Sequence, residues 1–205
     1  MKWKRLVAYG LVVGGVALAS NAATQYLKQL LVGKPLTTAQ KVVMATTPQS
    51  QKGNQDAQWI TYAKEERPEK GEQFAYLIIP KLDLQLPIIE GTDDKVLTHG
   101  VGHYPKSVLP GERDNAVLSA HRDSFFKEIG SLEAGDKLGV KTTKGIFIYE
   151  ISKHWVTDPE DRSVITPFNK PVLTLTTCYP FTYVGTAPQR YIIQSELKRK
   201  VDLNF

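Results

Sequence analysis

The stretch Val172-Leu-Thr-Leu-Thr-Thr-Cys-Tyr-Pro180 alternates apolar and polar side chains until a proline stops it. A period of two belongs to a β-strand, in which successive side chains point to opposite faces. Leu173 and Leu175 then share one face, and Thr174, Thr176 and Cys178 share the other. With the leucines turned to the core, Cys178 emerges on the more polar face at the strand's end, where Pro180 ends the ladder. A lone cysteine is by default a small buried hydrophobe. A structural cysteine would sit among the leucines, so this alternation favours a functional thiol. Cys178 is the sole cysteine of the chain, which excludes an internal disulfide.

Working outward, the text from Phe74 onward has the same texture. Tyr76-Leu-Ile-Ile-Pro80 is an apolar run closed by proline, and Leu82, Leu84 and Leu86 alternate with Lys81, Asp83 and Gln85. Further strand-like runs lie at Asn115–Ser119, Lys137–Lys141, Gly145–Ser152 and Tyr191–Glu196, separated by turn signals such as Glu133-Ala-Gly-Asp136. Many short strands with such turns predict an all-β barrel or sandwich. Short helical turns are expected around Asp93–Thr98 and Asp123–Ile129.

The other end of the chain reads differently. Lys2, Lys4 and Arg5 precede an apolar run from Leu6 to Ala23, 18 residues, the short end of a bilayer-spanning helix and the long end of a signal-peptide core. Tyr26, Leu27, Leu30 and Leu31 continue at helical spacing and favour an uncleaved anchor, although Ala17 and Ala19 supply a small-x-small cleavage pattern. Positive charge ahead of the run keeps the N-terminus cytoplasmic and exports the rest. Residues 1–32 are thus expected to be a cytoplasmic tip and anchor helix, 33–71 a polar stalk, and 72–205 the exported domain. The stalk has few apolar residues outside Trp59, Ile60 and Tyr62, where packing onto the domain is the competing expectation.

Lys and Arg outnumber Asp and Glu by only 26 to 21, and no basic run is interleaved with aromatics, which excludes a nucleic-acid partner. A nucleophilic cysteine needs a base or cation to supply the thiolate and donors for the oxyanion. His121 ends the run Ala116–Ala120, a strand-end position like that of Cys178. Arg190 opens the last strand, twelve residues after Cys178 and across a loop holding Gly185 and Pro188, so an antiparallel pair would bring its guanidinium to the thiol. Its competing role is that of a solvated charge. His154 reads as a surface residue. His99 and His103 form H-G-V-G-H, but Gly100 and Gly102 oppose the helix that a two-histidine metal site would need, and no third ligand is evident. No metal and no cofactor are expected.

At these residues the chain resembles the sortases. Leu173-Thr-Leu-Thr-Thr-Cys-Tyr-Pro-Phe181, Ser119-Ala-His-Arg-Asp123 and Pro188-Gln-Arg-Tyr-Ile192 are similar, in order and spacing, to the three active-site signatures of that family. Gly100-Val-Gly-His-Tyr104 and Thr-Cys-Tyr-Pro-Phe together are most like its class D branch, over about residues 74 to 197. Ala120 stands where S-G-H-R has glycine. The resemblance implies a closed β-barrel cysteine transpeptidase, membrane-anchored in Gram-positive bacteria, that joins secreted proteins to the cell wall. Cys178 would attack the Thr carbonyl of a C-terminal LPxT-type sorting signal. His121 would move the protons, and Arg190 would hold the oxyanion and the signal's backbone. Thr177 and Tyr179, flanking the nucleophile, are candidate substrate contacts, and the segment from His154 to Pro171 is the expected wall of the groove. The acceptor would be a peptidoglycan precursor or another amine.

Three alternatives remain open on sequence. An exported L,D-transpeptidase also uses Cys and His, yet serine-glycine-cysteine is expected where Thr176-Thr-Cys178 stands. A papain-like peptidase places its cysteine at a helix start near the domain's beginning. A non-catalytic wall-binding barrel would not need Cys, His and Arg at three strand ends.

Overall fold

The computed structural model describes residues 15–16, 19–20, 33–45, 59–182 and 185–203. The chain divides into two compact units, Met1–Gly33 and Lys34–Phe205. In the first, Gly15, Val16, Ala19 and Ser20 are helical, and the rest of the expected anchor lies outside the described residues. Among the described residues no helix is long and apolar enough to cross a membrane.

The second unit is an eight-stranded closed barrel. Its strands are β1 (Gln73–Ile79), β2 (Leu84–Glu90), β3 (Val101–His103), β4 (Asn115–Ser119), β5 (Lys137–Thr142), β6 (Gly145–Thr157), β7 (Val172–Tyr179) and β8 (Gln189–Val201), in the spatial order β1-β2-β3-β4-β7-β8-β6-β5. The all-β barrel expectation holds. Its interior is filled by side chains such as Leu77, Leu118, Phe147, Leu173, Leu175 and Ile193, each without solvent exposure. Most neighbours are antiparallel, but β2 with β3 and β4 with β7 run parallel.

Sequence periodicity missed β3, whose middle residue is a glycine. A Cβ on Gly102 would lie 2.4 Å from the Gly91 carbonyl oxygen, so only glycine lets the two backbones approach. Of the two expected helical turns, the first is α2 (Asp94–Leu97), capped by the Asp93 side chain accepting from the Val96 amide. The second is a run of turns that ends in a 3-10 segment at Ile129–Ser131.

Part of the expected stalk belongs to the barrel unit. Helix α1 (Thr38–Ala45) carries Met44, 2% exposed, which clusters with Leu36, Ile78, Ile146 and Ile148. Met44 packs over Gly139 of β5, where an added Cβ would sit 2.8 Å from its sulfur. Tyr62 is buried as well, its hydroxyl donating to the Pro110 carbonyl at 3.2 Å, and burial, above its other influences, pushes its phenol up to about 12. Leu36, Val43 and Met44 are too few to reveal a core-facing segment by composition, yet each buried Leu or Met contributes about 1.5–3 kcal/mol. Residues 46–58 lie outside the described residues.

Candidate active site

The strand order sets β4, β7 and β8 side by side and thereby aligns His121, Cys178 and Arg190. In the parallel β4–β7 pair, Ser119 faces Thr176, so both strands end at the same rim of the barrel. The Ala120 amide extends the ladder by donating to the Thr176 carbonyl at 3.3 Å. His121 therefore leaves β4 level with the residues around Cys178. In the antiparallel β7–β8 pair, Cys178 lies directly opposite Arg190. Directly opposed residues present their Cβ atoms about 4.5–5.5 Å apart on one face of the sheet.

The β7–β8 pairing runs from Val172 to Tyr179 without a register shift, so the alternation expected for β7 is kept. Thr176 and Cys178 are half-buried on one face, while Leu173, Leu175 and Thr177 share the buried one. The Thr177 hydroxyl, 2% exposed, donates to the Ala120 carbonyl at 2.7 Å. That bond ties the residue before the thiol to the residue before the imidazole. Tyr179 stacks on Tyr191 at 6.0 Å and meets Phe181 edge-on at 5.7 Å. His154, exposed as expected, stacks on the other side of this cluster against Tyr191. Burial, then the neighbouring Tyr179, raises the phenol of Tyr191.

Two cavities meet at the three strand-end residues. The first, of 410 Å³, is lined by His121, Cys178 and Arg190 together with Thr177, Leu97, Tyr104, Ile192 and the β6–β7 loop from Asp158 to Ile165. The second, of 300 Å³, shares the same three residues and is closed by Arg122, Asp123 and residues 185–187 of the β7–β8 loop. Tyr179 belongs to neither wall among the described residues, and its ring is engaged in the aromatic cluster. Arg190 donates to the carbonyls of Gln189 at 3.1 Å and Ala187 at 3.5 Å, which holds its guanidinium at the mouth of the β7–β8 loop.

The β6–β7 loop is held by hydrogen bonds rather than by apolar packing alone. Asp161 accepts from the Thr157 hydroxyl and from the Ser163 amide at 2.9 Å. Its bonds from Ser163 and then Thr157 hold its carboxyl below the usual carboxylate range. From beneath, Asn115 of β4, 4% exposed, donates to the Val164 carbonyl at 2.9 Å and the Thr166 carbonyl at 3.3 Å. Thr174 of β7 donates to the Asn115 side-chain oxygen at 2.7 Å. Asn115, Leu97 and Tyr104 were not singled out in the sequence, since their roles follow from which strands become neighbours.

The H-G-V-G-H histidines have separate structural partners. His99 donates from Nδ1 to the Lys95 carbonyl at 2.7 Å. His103, 2% exposed, sets Nδ1 2.6 Å from the Glu90 carboxylate and Nε2 3.0 Å from the Val108 carbonyl. Among the described residues no group of three or more His, Cys, Asp or Glu side chains is arranged to hold a metal ion.

A closed barrel carrying a rim thiol between an imidazole strand and a guanidinium strand defines a sortase-type cysteine transpeptidase. The sortase domain model matches residues 77–198, and the chain belongs to the sortase family. It is 40% identical to Sortase D of Bacillus subtilis strain 168, over 92% of this chain and 93% of that protein. Among solved structures it is similar to the Clostridium perfringens Sortase D5 transpeptidase, with TM-score 0.59 and 29% identity over 66% of this chain and 89% of that one. It is also similar to Streptomyces coelicolor Sortase E1, solved with a tripeptide in its active site, with TM-score 0.56 and 34% identity over 62% and 88% of the two chains.

Proposed function

We propose that this enzyme cleaves an LPxT-type sorting signal after its threonine and transfers the upstream protein to an amine of the cell wall. Cys178 is the nucleophile: its sulfur bonds to the threonine carbonyl carbon as the peptide C–N bond breaks. His121 gives a proton to the leaving amine and later takes one from the incoming amine. Arg190 offers fixed donors to the oxyanion, because a guanidinium stays charged under any accessible perturbation. The thioacyl intermediate stores the cleaved bond until an amine replaces the sulfur.

The observation that carries this reading is the convergence of the chain's sole thiol with the His121 imidazole and the Arg190 guanidinium, all three of which line the same two cavities. In the same reading, residues 1–32 anchor the enzyme in the cell membrane with the N-terminus cytoplasmic and the barrel outside. Its donors are secreted proteins with a C-terminal signal, and its acceptor is a peptidoglycan precursor or a related amine. Thr177 contributes to the wall of the larger cavity while positioning the rim.

The test is cleavage of LPxTG and LPxTA peptides by the full-length enzyme in detergent, with and without an added amine. Turnover of one of them, trapping of a thioacyl adduct on Cys178 by mass spectrometry, and loss of both in Cys178→Ala are expected. A folded, reduced enzyme that turns over neither peptide refutes the substrate assignment.

A further inference from the structure

The parallel pairing of β2 with β3 sets Glu90 directly opposite His103, and both side chains are buried. The transpeptidase chemistry uses neither. Desolvating two ionisable groups is unfavourable unless they are hydrogen-bonded, and here the bonds lead out of the pair toward the larger cavity.

The hydrogens of this chain can be placed one by one. The Ser107 hydroxyl donates its single hydrogen to the Tyr104 carbonyl at 2.7 Å. Its oxygen therefore accepts, from the Val117 amide at 3.1 Å and from His103 Nε2 at 3.1 Å. Nε2 also lies 3.0 Å from the Val108 carbonyl, which has no hydrogen to give, so Nε2 carries one and shares it between the two oxygens. A second proton sits in the 2.6 Å contact between Nδ1 and the Glu90 carboxylate, and it fixes the ring whichever atom holds it. The chain of bonds thus runs from Glu90 through His103 and Ser107 to the backbone of Tyr104.

Tyr104 is the point at which this chain meets the site. It follows β3 directly, its amide donates to the Val117 carbonyl of β4 at 2.9 Å, and its carbonyl accepts from the Ser107 amide at 2.9 Å as well as from the Ser107 hydroxyl. It lines the larger cavity together with Cys178, Thr176 and Leu97. Pro105 and Lys106, which complete the turn, are exposed, so the turn is held by hydrogen bonds rather than by packing of its own tip.

We infer that Glu90, His103 and Ser107 are positioning residues for the donor, holding Tyr104 at the height at which the cavity wall grips the sorting signal. This rests on the transpeptidase reading above. A wall that is set before the donor arrives spares the donor the cost of ordering it, so its loss falls on donor binding and leaves bond breaking at the sulfur largely intact.

The experiment measures kcat and donor KM of the full-length enzyme in detergent, with an LPxT peptide that the wild type cleaves. Ser107→Ala leaves the buried pair whole and cuts its link to Tyr104. Donor KM should rise about five-fold, the size one neutral hydrogen bond supports, with kcat within about two-fold of wild type. In a Tyr104→Ala background the same substitution should change KM no further, because no side chain is left to position; a generally weakened barrel would give an equal rise in both backgrounds. Glu90→Leu combined with His103→Phe replaces both buried partners by apolar groups, strands no charge, and should raise donor KM at least as much as Ser107→Ala. Wild-type KM in Ser107→Ala, an equal rise in both backgrounds, or wild-type KM in the folded Glu90→Leu/His103→Phe enzyme overturns the positioning role alone; where that double variant does not fold, Ser107→Ala and its Tyr104→Ala cycle decide. A wild-type enzyme that cleaves no donor overturns the transpeptidase reading and this inference with it.

Discussion

Replacing Asn115 by Asp keeps the side-chain volume and turns one hydrogen-bonding end from donor to acceptor. In the native barrel Nδ2 donates to the Val164 and Thr166 carbonyls, and Oδ1 accepts from Thr174. The aspartate would retain the Thr174 bond and aim its second oxygen at two carbonyl oxygens in a site only 4% exposed. Two bonds worth about 1 kcal/mol each disappear, and an unsatisfied buried acceptor costs about 1–3 kcal/mol more, so the net loss is about 3–5 kcal/mol. For a domain of this size each kcal/mol lowers Tm by roughly 2–4 °C, which predicts a fall of about 6–20 °C by calorimetry. The damage is aimed at the floor of the β6–β7 loop, which walls the larger cavity. The donor-peptide KM should therefore rise about tenfold, equivalent to about 1.4 kcal/mol of the loss, while kcat changes less. Asn115→Asp with Tm and donor KM both at wild-type values would refute the proposed role of the buried amide. A fall in kcat at constant KM would instead locate the defect at the rim chemistry.

Met44→Ala empties a buried site over Gly139 and should cost about 2–5 kcal/mol, measured as a lower midpoint in urea with an unchanged slope; a wild-type midpoint would show that α1 does not pack on the barrel. Thr177→Val preserves shape and removes the donor to Ala120, so about 1–2 kcal/mol of stability should go, together with a drop in kcat larger than any rise in KM. Unchanged kcat would mean that this bond does not position His121 against Cys178. The depressed Asp161 carboxyl stabilises the folded loop above the ordinary carboxylate range near about 4, and that contribution is lost as pH falls through its lower folded value. Asp161→Asn should accordingly weaken donor binding at neutral pH and narrow the gap to wild type in acid; a gap that is the same from neutral pH down to acid would remove Asp161 as the loop's charged anchor.

Much of the site was legible because its signals are local. Proline after Cys178, leucines at every second position and the half-buried strand end are properties of a few neighbouring residues, and the pleat converts them directly into a face. The Cys178–Arg190 pairing was also within reach, since a twelve-residue separation across a Gly- and Pro-containing loop suits an antiparallel pair. His121 was harder. Its proximity depends on β4 running parallel to β7, and parallel neighbours joined through intervening strands leave no periodic trace. Thr177 shows what one strand alone does not reveal: it lines the larger cavity beside the nucleophile, and its alternation with Leu173 and Leu175 also sends its hydroxyl to the Ala120 carbonyl of the neighbouring strand.

What the amino-acid sequence alone determined was the all-β character, the lone thiol at a strand end, the compartment-setting basic and apolar N-terminus as an expectation, and the family signatures. The tertiary structure decided which strands are neighbours, and with that the two cavities, the Asn115 support beneath the β6–β7 loop, the Gly102–Gly91 approach and the docking of Leu36 and Met44 on Ile78, Ile146 and Ile148. The physical reason is that side-chain direction is set by adjacent residues, whereas strand neighbours and helix docking are set by burial summed over residues far apart in the chain.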